Sequence, residues 1–264
     1  MHSLNGSRAD IELNLSRLRF DELLEFIAVH GKDALGIGTY SEKSLHFLLK
    51  NFFEPDRDHH EVAYKGYVAD VMRDGRIVEI QTATLSGLRD KLDAFLPDAC
   101  VRLVFPIRKY KSIVWMDPET GEVKNTPQRR KSESVYSLLC ELIYIADYLR
   151  DPNLCITMVV LAVDDYRYLD GWSRDKKKGA TKLDTVPTEL ISISDLVMPD
   201  SLFSFIPEEL GDVFTRQAFS KATGLRGRAL WAALKVLEEQ RIIEKTEPDG
   251  KRHRYIVLRN NKTE

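Results

Sequence analysis

Two carboxylates on neighbouring strands of a predicted hairpin are the side chains best placed to do chemistry in this chain. Residues 66–82 have the sequence GYVADVMRDGRIVEIQT, and the Asp-Gly pair at 74–75 favours the positive φ angles of a two-residue turn. Counting outward from this turn places Asp70 opposite Glu79, where two like charges destabilise a strand pair. A divalent cation would offset the repulsion, because Mg²⁺ is commonly bound by one or two carboxylates together with phosphate oxygens. The alternative is an exposed edge hairpin whose flanking arginines neutralise both acids.

The helix predicted before this hairpin aims a third carboxylate at the same place. Residues 41–53, SEKSLHFLLKNFF, repeat apolar side chains at helical spacing, and Glu42 projects from the same side as Leu45 and Leu49. The alternative gives Glu42 no chemical role, because Ser41 is a good helix N-cap and an acid in the first turn complements the helix dipole.

This order of a helix and two strands bearing acids resembles the PD-(D/E)XK nuclease superfamily, whose members hydrolyse phosphodiester bonds with a divalent metal ion. The resemblance covers residues 41–107. It implies Mg²⁺, or Mn²⁺, held by Asp70, Glu79 and the carbonyl of Ile80, with Glu42 as an additional catalytic acid.

One position departs from the pattern of that superfamily. Gln81 stands where a lysine usually follows the second acid, and glutamine can orient a water molecule but cannot neutralise developing charge. Lys91, on the helix predicted at residues 85–95, is the first choice for a replacement cation, although it can equally be a solvated helix charge. Gln81 and Lys91 complete the candidate catalytic set.

Composition limits the remaining possibilities. The 264 residues carry a formal net charge of −2 and are 43% hydrophobic, which is typical of a globular protein whose nucleic-acid contacts must come from local patches. The three cysteines show no paired or metal-ligand spacing, as expected in a reducing compartment. No apolar run reaches the roughly 20 residues of a membrane helix, and no signal peptide is recognisable. We therefore expect a cytoplasmic protein without membrane contact.

The order of predicted elements indicates an α/β fold. Strands alternate with helices, and a helix is expected at residues 20–30, so we predict a restriction-endonuclease-like mixed sheet flanked by helices over residues 1–200. A basic run at residues 174–178 is placed in a loop of this domain. Basic runs are usually solvated, but Arg174 and Lys177 are candidate contacts to a phosphate backbone.

Residues 201–264 form a second predicted domain, which resembles a small winged helix-turn-helix. Thr215 is expected to cap a short helix, Gly224 to make the tight turn, and a second helix to span residues 226–240, followed by a hairpin with its turn at residues 247–250. Lys and Arg outnumber Asp and Glu in this region, which favours a polyanionic partner. The expected DNA contacts are Arg226, Arg228, Lys235, Lys251, Arg252 and Arg254.

Together these patterns predict a metal-dependent DNA endonuclease that is guided to DNA by its C-terminal domain, with a homodimer left open. Two alternatives come from other classes of protein. Gln81 is consistent with a catalytically inactive nuclease fold that acts as a DNA-binding regulator. Winged helices also bind proteins, so the C-terminal domain can instead be an assembly module.

Overall fold

A seven-stranded mixed β-sheet forms the centre of the computed structural model, which describes residues 8–30, 43–124, 127–168, 170, 180–246 and 253–259. Its strand order is β1-β2-β3-β4-β6-β7, and β5 pairs with β4. The β3/β4 and β4/β6 pairs are parallel, and the other pairs are antiparallel. The strands are β1 His60–Tyr64, β2 Tyr67–Arg73, β3 Arg76–Ile80, β4 Cys100–Met116, β5 Arg130–Lys131, β6 Leu154–Tyr168 and β7 Lys182–Leu196.

Helices cover both faces of this sheet, so the predicted α/β class with a flanked mixed sheet is confirmed. On one face, α1 (Arg8–His30) and α2 (Ser44–Phe53) pack with Val104 and Leu161 in one apolar core. On the other face, α3 (Arg89–Phe95) and α4 (Tyr136–Glu141) pack with Ile77 and Leu103 in a second core. The N-terminal helix is longer than the predicted residues 20–30, and α4 continues as a 3₁₀ helix over Leu142–Tyr148.

The hairpin turn and the register next to it are as predicted. Asp74 and Gly75 have φ angles of 49° and 72°, as a two-residue hairpin turn requires. The β2/β3 ladder ends at the Val71–Val78 pair, however. Carried one residue further, this register places Asp70 opposite Glu79, and there bonds between side chains and backbone join the two strands.

Three strands continue far beyond the short strand β3. Strand β4 runs to Met116 because β6 pairs with it in parallel, with one register shift between Arg108 and Tyr110. We call the extension, made of residues 108–116, 162–168 and 182–188 with β5 at its edge, the arm.

The C-terminal unit follows the predicted order of helix, turn, helix and hairpin. Thr215 Oγ1 accepts a hydrogen bond from Ala218 N at 3.1 Å, and Gly224 ends the first helix with a φ of 77°. A further strand, β8, precedes the helices, and the turn predicted at residues 247–250 lies outside the described residues. The elements are β8 Val213–Thr215, α5 Arg216–Thr223, α6 Gly227–Glu239, β9 Ile243–Lys245 and β10 Arg254–Val257, and the strand order is β8-β10-β9.

Helix α6 packs into the same apolar core as α4. Gln240, just after α6, donates from Nε2 to Ala146 O at 2.9 Å, and Cys140 Sγ lies 3.3 Å from Ala229 O. Residues on both sides of the predicted domain boundary at 200/201 thus share one core. Among the described residues, no helix has the length and apolar character needed to span a bilayer.

Candidate active site

A fully buried carboxylate lies at the end of β3. The side chain of Glu79 is 0% exposed, and its Oε2 is 2.7 Å from Lys91 Nζ. A buried charge requires a partner of opposite sign or hydrogen bonds, and α3 supplies that partner because Lys91 lies in its first turn. The structure thus brings together two residues that the sequence placed on separate elements.

The second carboxylate, Asp70, interlocks with the first through the backbone. Asp70 Oδ2 accepts a hydrogen bond from Ile80 N at 2.7 Å, and Glu79 Oε1 accepts one from Asp70 N at 3.3 Å. Each acid is therefore held by the backbone of the opposite strand, which explains how two acidic side chains can lie side by side.

His46 is a member of this site that the sequence analysis missed. Its Nε2 lies 3.2 Å from Asp70 Oδ2, and it comes from α2, whereas Lys91 comes from α3 on the opposite face of the sheet. The available signal was spacing in the sequence, because His46 follows Glu42 by four residues, the separation that places two residues on one face of a helix. The carboxylate pair therefore has one nitrogen group from each helical layer.

The environments separate the two acids electrostatically. Burial, reinforced by the charge of Asp70, raises the pKa of Glu79 to about 7, against the opposing effect of Lys91. Burial would raise the pKa of Asp70 as well, but the hydrogen bond and charge of His46, the N–H of Ile80 and the charge of Lys91 together hold it below its ordinary value. Asp70 is thus the fixed anion of the pair, and Glu79 is the acid that a nearby cation would ionise.

The donors at this site suit a hard divalent cation. Asp70 and Glu79 offer carboxylate oxygens, the kind of ligand that Mg²⁺ prefers, and Mg²⁺ needs only one or two carboxylates. In the part of the chain that the structure describes, no group of three or more His, Cys, Asp or Glu side chains could hold a metal ion. A cation at this position would have to be held by the two acids together with backbone or substrate oxygens, a set of ligands that Mg²⁺ accepts.

Gln81 follows directly after β3 and is half-buried. Its N–H donates to Val104 O at 3.0 Å, which keeps the backbone aligned with β4 past the end of the strand. Since side chains alternate along a strand, Gln81 shares a face with Glu79. The cation beside Glu79 is Lys91, and the third predicted acid, Glu42, lies outside the described residues.

The predicted DNA contacts that are described lie on the C-terminal unit. Arg226, Arg228 and Arg254 are exposed, and Lys235 is half-buried. Arg228 Nη2 lies 3.3 Å from Tyr144 OH, and Lys235 pairs with Glu239 along α6 at 3.1 Å. The candidates outside the described residues are Arg174, Lys177, Lys251 and Arg252.

Residues 43–196 match the protein family described as a domain of unknown function, DUF8091. The chain belongs to this family. The DUF8091 region runs from the start of α2 to the end of β7 and contains the carboxylate pair, its two nitrogen partners and the arm. Helix α1 and the C-terminal unit lie outside it.

An uncharacterized protein of Treponema pallidum (strain Nichols) is similar to this chain. The two are 33% identical over 147 residues, which make up 53% of this chain and 57% of that protein. This chain thus matches little more than half of the relative's length. No solved structure matches the chain significantly.

Proposed function

We propose that this chain is a metal-dependent nuclease of the PD-(D/E)XK type that hydrolyses phosphodiester bonds in DNA. The observation that carries the proposal is the fully buried Glu79, which lies beside Asp70 and 2.7 Å from the amine of Lys91. Removing a carboxylate from water next to another acid raises the free energy of the folded protein, and such costly arrangements are concentrated at sites of binding or chemistry.

Lys91 supports the proposal because it supplies the charge that Gln81 lacks. The family pattern places the lysine two residues after the second acid, on the same strand, whereas here the amine reaches Glu79 from α3. A lysine that migrates to a neighbouring helix preserves the electrostatic role and leaves Gln81 to act through hydrogen bonds alone.

Each residue then has a distinct task. Asp70, Glu79 and the Ile80 carbonyl would hold the cation, and His46 would fix the orientation of Asp70. A bound Mg²⁺ or Mn²⁺ lowers the pKa of a water ligand and relieves negative charge on phosphate oxygens. The Gln81 amide, which has two donor hydrogens and an acceptor oxygen, would orient the attacking water, and Lys91 would stabilise the charge that develops on the phosphate.

The C-terminal unit is proposed to bring DNA to this site as a winged helix. Two faces of α6 are buried, and Arg228, Trp231 and Lys235 lie along the remaining face at a spacing of three and four residues. This stripe has the polar and aromatic composition of a nucleic-acid contact. Arg226 at the N-terminus of α6 and Arg254 in the hairpin would extend it to the phosphate backbone.

Gln81 favours one other function, that of a DNA-binding regulator built on an inactive nuclease fold. That protein would keep its DNA affinity and would cut under no metal condition. Cleavage of plasmid DNA and of labelled oligonucleotides, with Mg²⁺, with Mn²⁺ and with EDTA, separates the two candidates.

The decisive variants are Asp70→Asn and Glu79→Gln. Both should abolish metal-dependent cleavage while leaving the circular dichroism spectrum unchanged. Asp74→Asn is the matched control, because it makes the same charge change in the hairpin turn, where asparagine also tolerates a positive φ. Undiminished cleavage by both site variants would contradict the assignment of the site, and inactivity of the wild type under every metal would favour the regulator.

A further inference from the structure

A basic trough lies on the arm, away from the residues assigned above. Its volume is about 500 Å³. Lys111 and Trp115 come from one face of β4, and Arg130 is paired with Lys111 across the β4/β5 ladder. The trough lies outside the C-terminal unit that was proposed to contact DNA. Its main lining residues are Lys111, Ile113, Trp115, Gln128, Arg130 and Lys131.

A buried acid in the arm, Asp165, pairs with several cationic side chains next to this trough. Asp165 is 2% exposed and accepts a hydrogen bond from Thr185 Oγ1 at 2.7 Å. Three cations surround it, with Arg167 Nη2 at 2.9 Å, Lys182 Nζ at 3.1 Å and Lys111 Nζ at 3.8 Å. One carboxylate cannot neutralise three cations, so the arm retains an excess of positive charge. The buried Asp165 fixes the positions of these cations.

The trough and the carboxylate pair border the same edge of β4. Strand β3, which carries Glu79, pairs with residues 100–104 of β4, and β5 pairs with residues 110–111 farther along. Six residues of extended strand separate these contacts, a distance of roughly 20 Å at about 3.3 Å per residue. The register shift between Arg108 and Tyr110 places Lys111 on the α1/α2 face of the sheet, whereas Glu79 lies on the α3/α4 face, so the two surfaces share an edge but not a face.

We infer that the trough binds one unpaired strand of nucleic acid, with its phosphates on Lys111, Arg130 and Lys131 and a base on the ring of Trp115. An aromatic side chain among basic residues is the combination that binds single strands, because every base offers a face for stacking. A duplex keeps its bases stacked inside and could not use Trp115. Binding of the strand does not depend on the proposed function, but its cleavage does. If the proposed function holds, the preferred substrate is a single strand, or a DNA end or junction that exposes one.

Binding is measured on the whole protein in EDTA, so that no cleavage occurs, by fluorescence anisotropy with a labelled 20-nucleotide poly-dT. Arg130→Glu should weaken binding at least tenfold and reduce the dependence of affinity on salt, because fewer counterions are released. Trp115→Leu should weaken it by about tenfold through lost stacking. Lys65→Glu is the matched control: it makes the same change of charge at the other end of β4, where Lys65 is paired with Asp98, so the affinity should stay within twofold of wild type.

Three outcomes would overturn the inference: unchanged affinity in Arg130→Glu, an equal loss in the Lys65→Glu control, or tighter binding of a 20-base-pair duplex than of poly-dT. The same experiments distinguish a failure of this inference from a failure of the nuclease proposal. Strand binding that depends on Arg130 without any metal-dependent cleavage would refute the nuclease proposal alone. Cleavage that depends on Asp70 but is unaffected by Arg130→Glu would refute the trough alone.

Discussion

Replacing Lys91 with methionine tests the buried ion pair directly. Methionine keeps an unbranched apolar stem of similar length, so the packing of α3 is largely preserved while the amine 2.7 Å from Glu79 Oε2 is removed. Glu79 is 0% exposed and would be left beside Asp70 without its cation. Leaving one member of a buried pair unpaired costs about 3–5 kcal/mol.

The structure places the expected loss at the lower end of that range. Lys91 is 24% exposed, so water can enter where the amine was, and Glu79, whose pKa of about 7 would rise without the amine, can take up a proton. We therefore expect Lys91→Met to lower the free energy of unfolding by about 3 kcal/mol in the absence of divalent metal. A cation bound by the two acids would recover much of this loss, since a ligand at 100 times its dissociation constant stabilises by about 2.7 kcal/mol.

Urea denaturation at pH 8, with EDTA and with Mg²⁺ or Mn²⁺, measures both effects. Arg89→Met is the control on the same helix, because Arg89 pairs with Asp147 at the surface and such pairs contribute only about 0–1 kcal/mol. The double variant Lys91→Met, Glu79→Gln should regain stability and lose the response to metal. A loss below about 1 kcal/mol in Lys91→Met would refute the reasoning on burial, and an equal metal response in the double variant would refute Glu79 as a ligand.

Three further predictions concern other parts of the molecule. The pKa of Asp165 is about 2, because the hydrogen bond from Thr185 and the neighbouring cations outweigh the opposing effect of burial. The ionised Asp165 therefore stabilises the fold above pH 4, and the free energy of unfolding should fall by about 2 kcal/mol as the pH drops from 4 to 2. Denaturation at each pH should show that Asp165→Asn removes this part of the pH dependence. Gln81→Lys should preserve or raise the rate of DNA cleavage, whereas Gln81→Ala should lower it well below wild type in the same assay. Thr215→Ala removes the N-cap of α5 and should cost about 1 kcal/mol in urea denaturation, most of which Thr215→Ser should restore.

Local chemistry made the hairpin and the C-terminal helices predictable from sequence. Asp74-Gly75 fixes a turn and therefore the ladder next to it, and Thr215 and Gly224 mark the two ends of α5 by capping rules that depend on a few neighbouring residues. Lys91 could be chosen because a cation was missing from the pattern at Gln81. In each case the signal was contained within a short stretch of chain.

Features set by distant contacts were not predictable in the same way. Register counting places Asp70 opposite Glu79, but it cannot anticipate that the side chain of each acid bonds to the backbone of the opposite strand. His46 joins the site only because α2 packs across the sheet, and β4 is continuous only because a strand some 50 residues later pairs with it along its length. The sharing of one core by α4 and α6 likewise depends on tertiary packing, which periodicity does not encode.

Because α6 is packed against α4, the C-terminal unit is held in one position relative to the central sheet. A DNA-binding domain on a flexible linker samples many positions. An enzyme joined to it would therefore cut at a range of distances from the point where that domain binds. Here the exposed stripe of α6 is held at one separation from the carboxylate pair by a continuous apolar core. If the stripe of α6 and the carboxylate pair contact the same nucleic acid, the fold fixes the distance between binding and cleavage. Cuts should then cluster at one spacing from the nucleotides that α6 contacts.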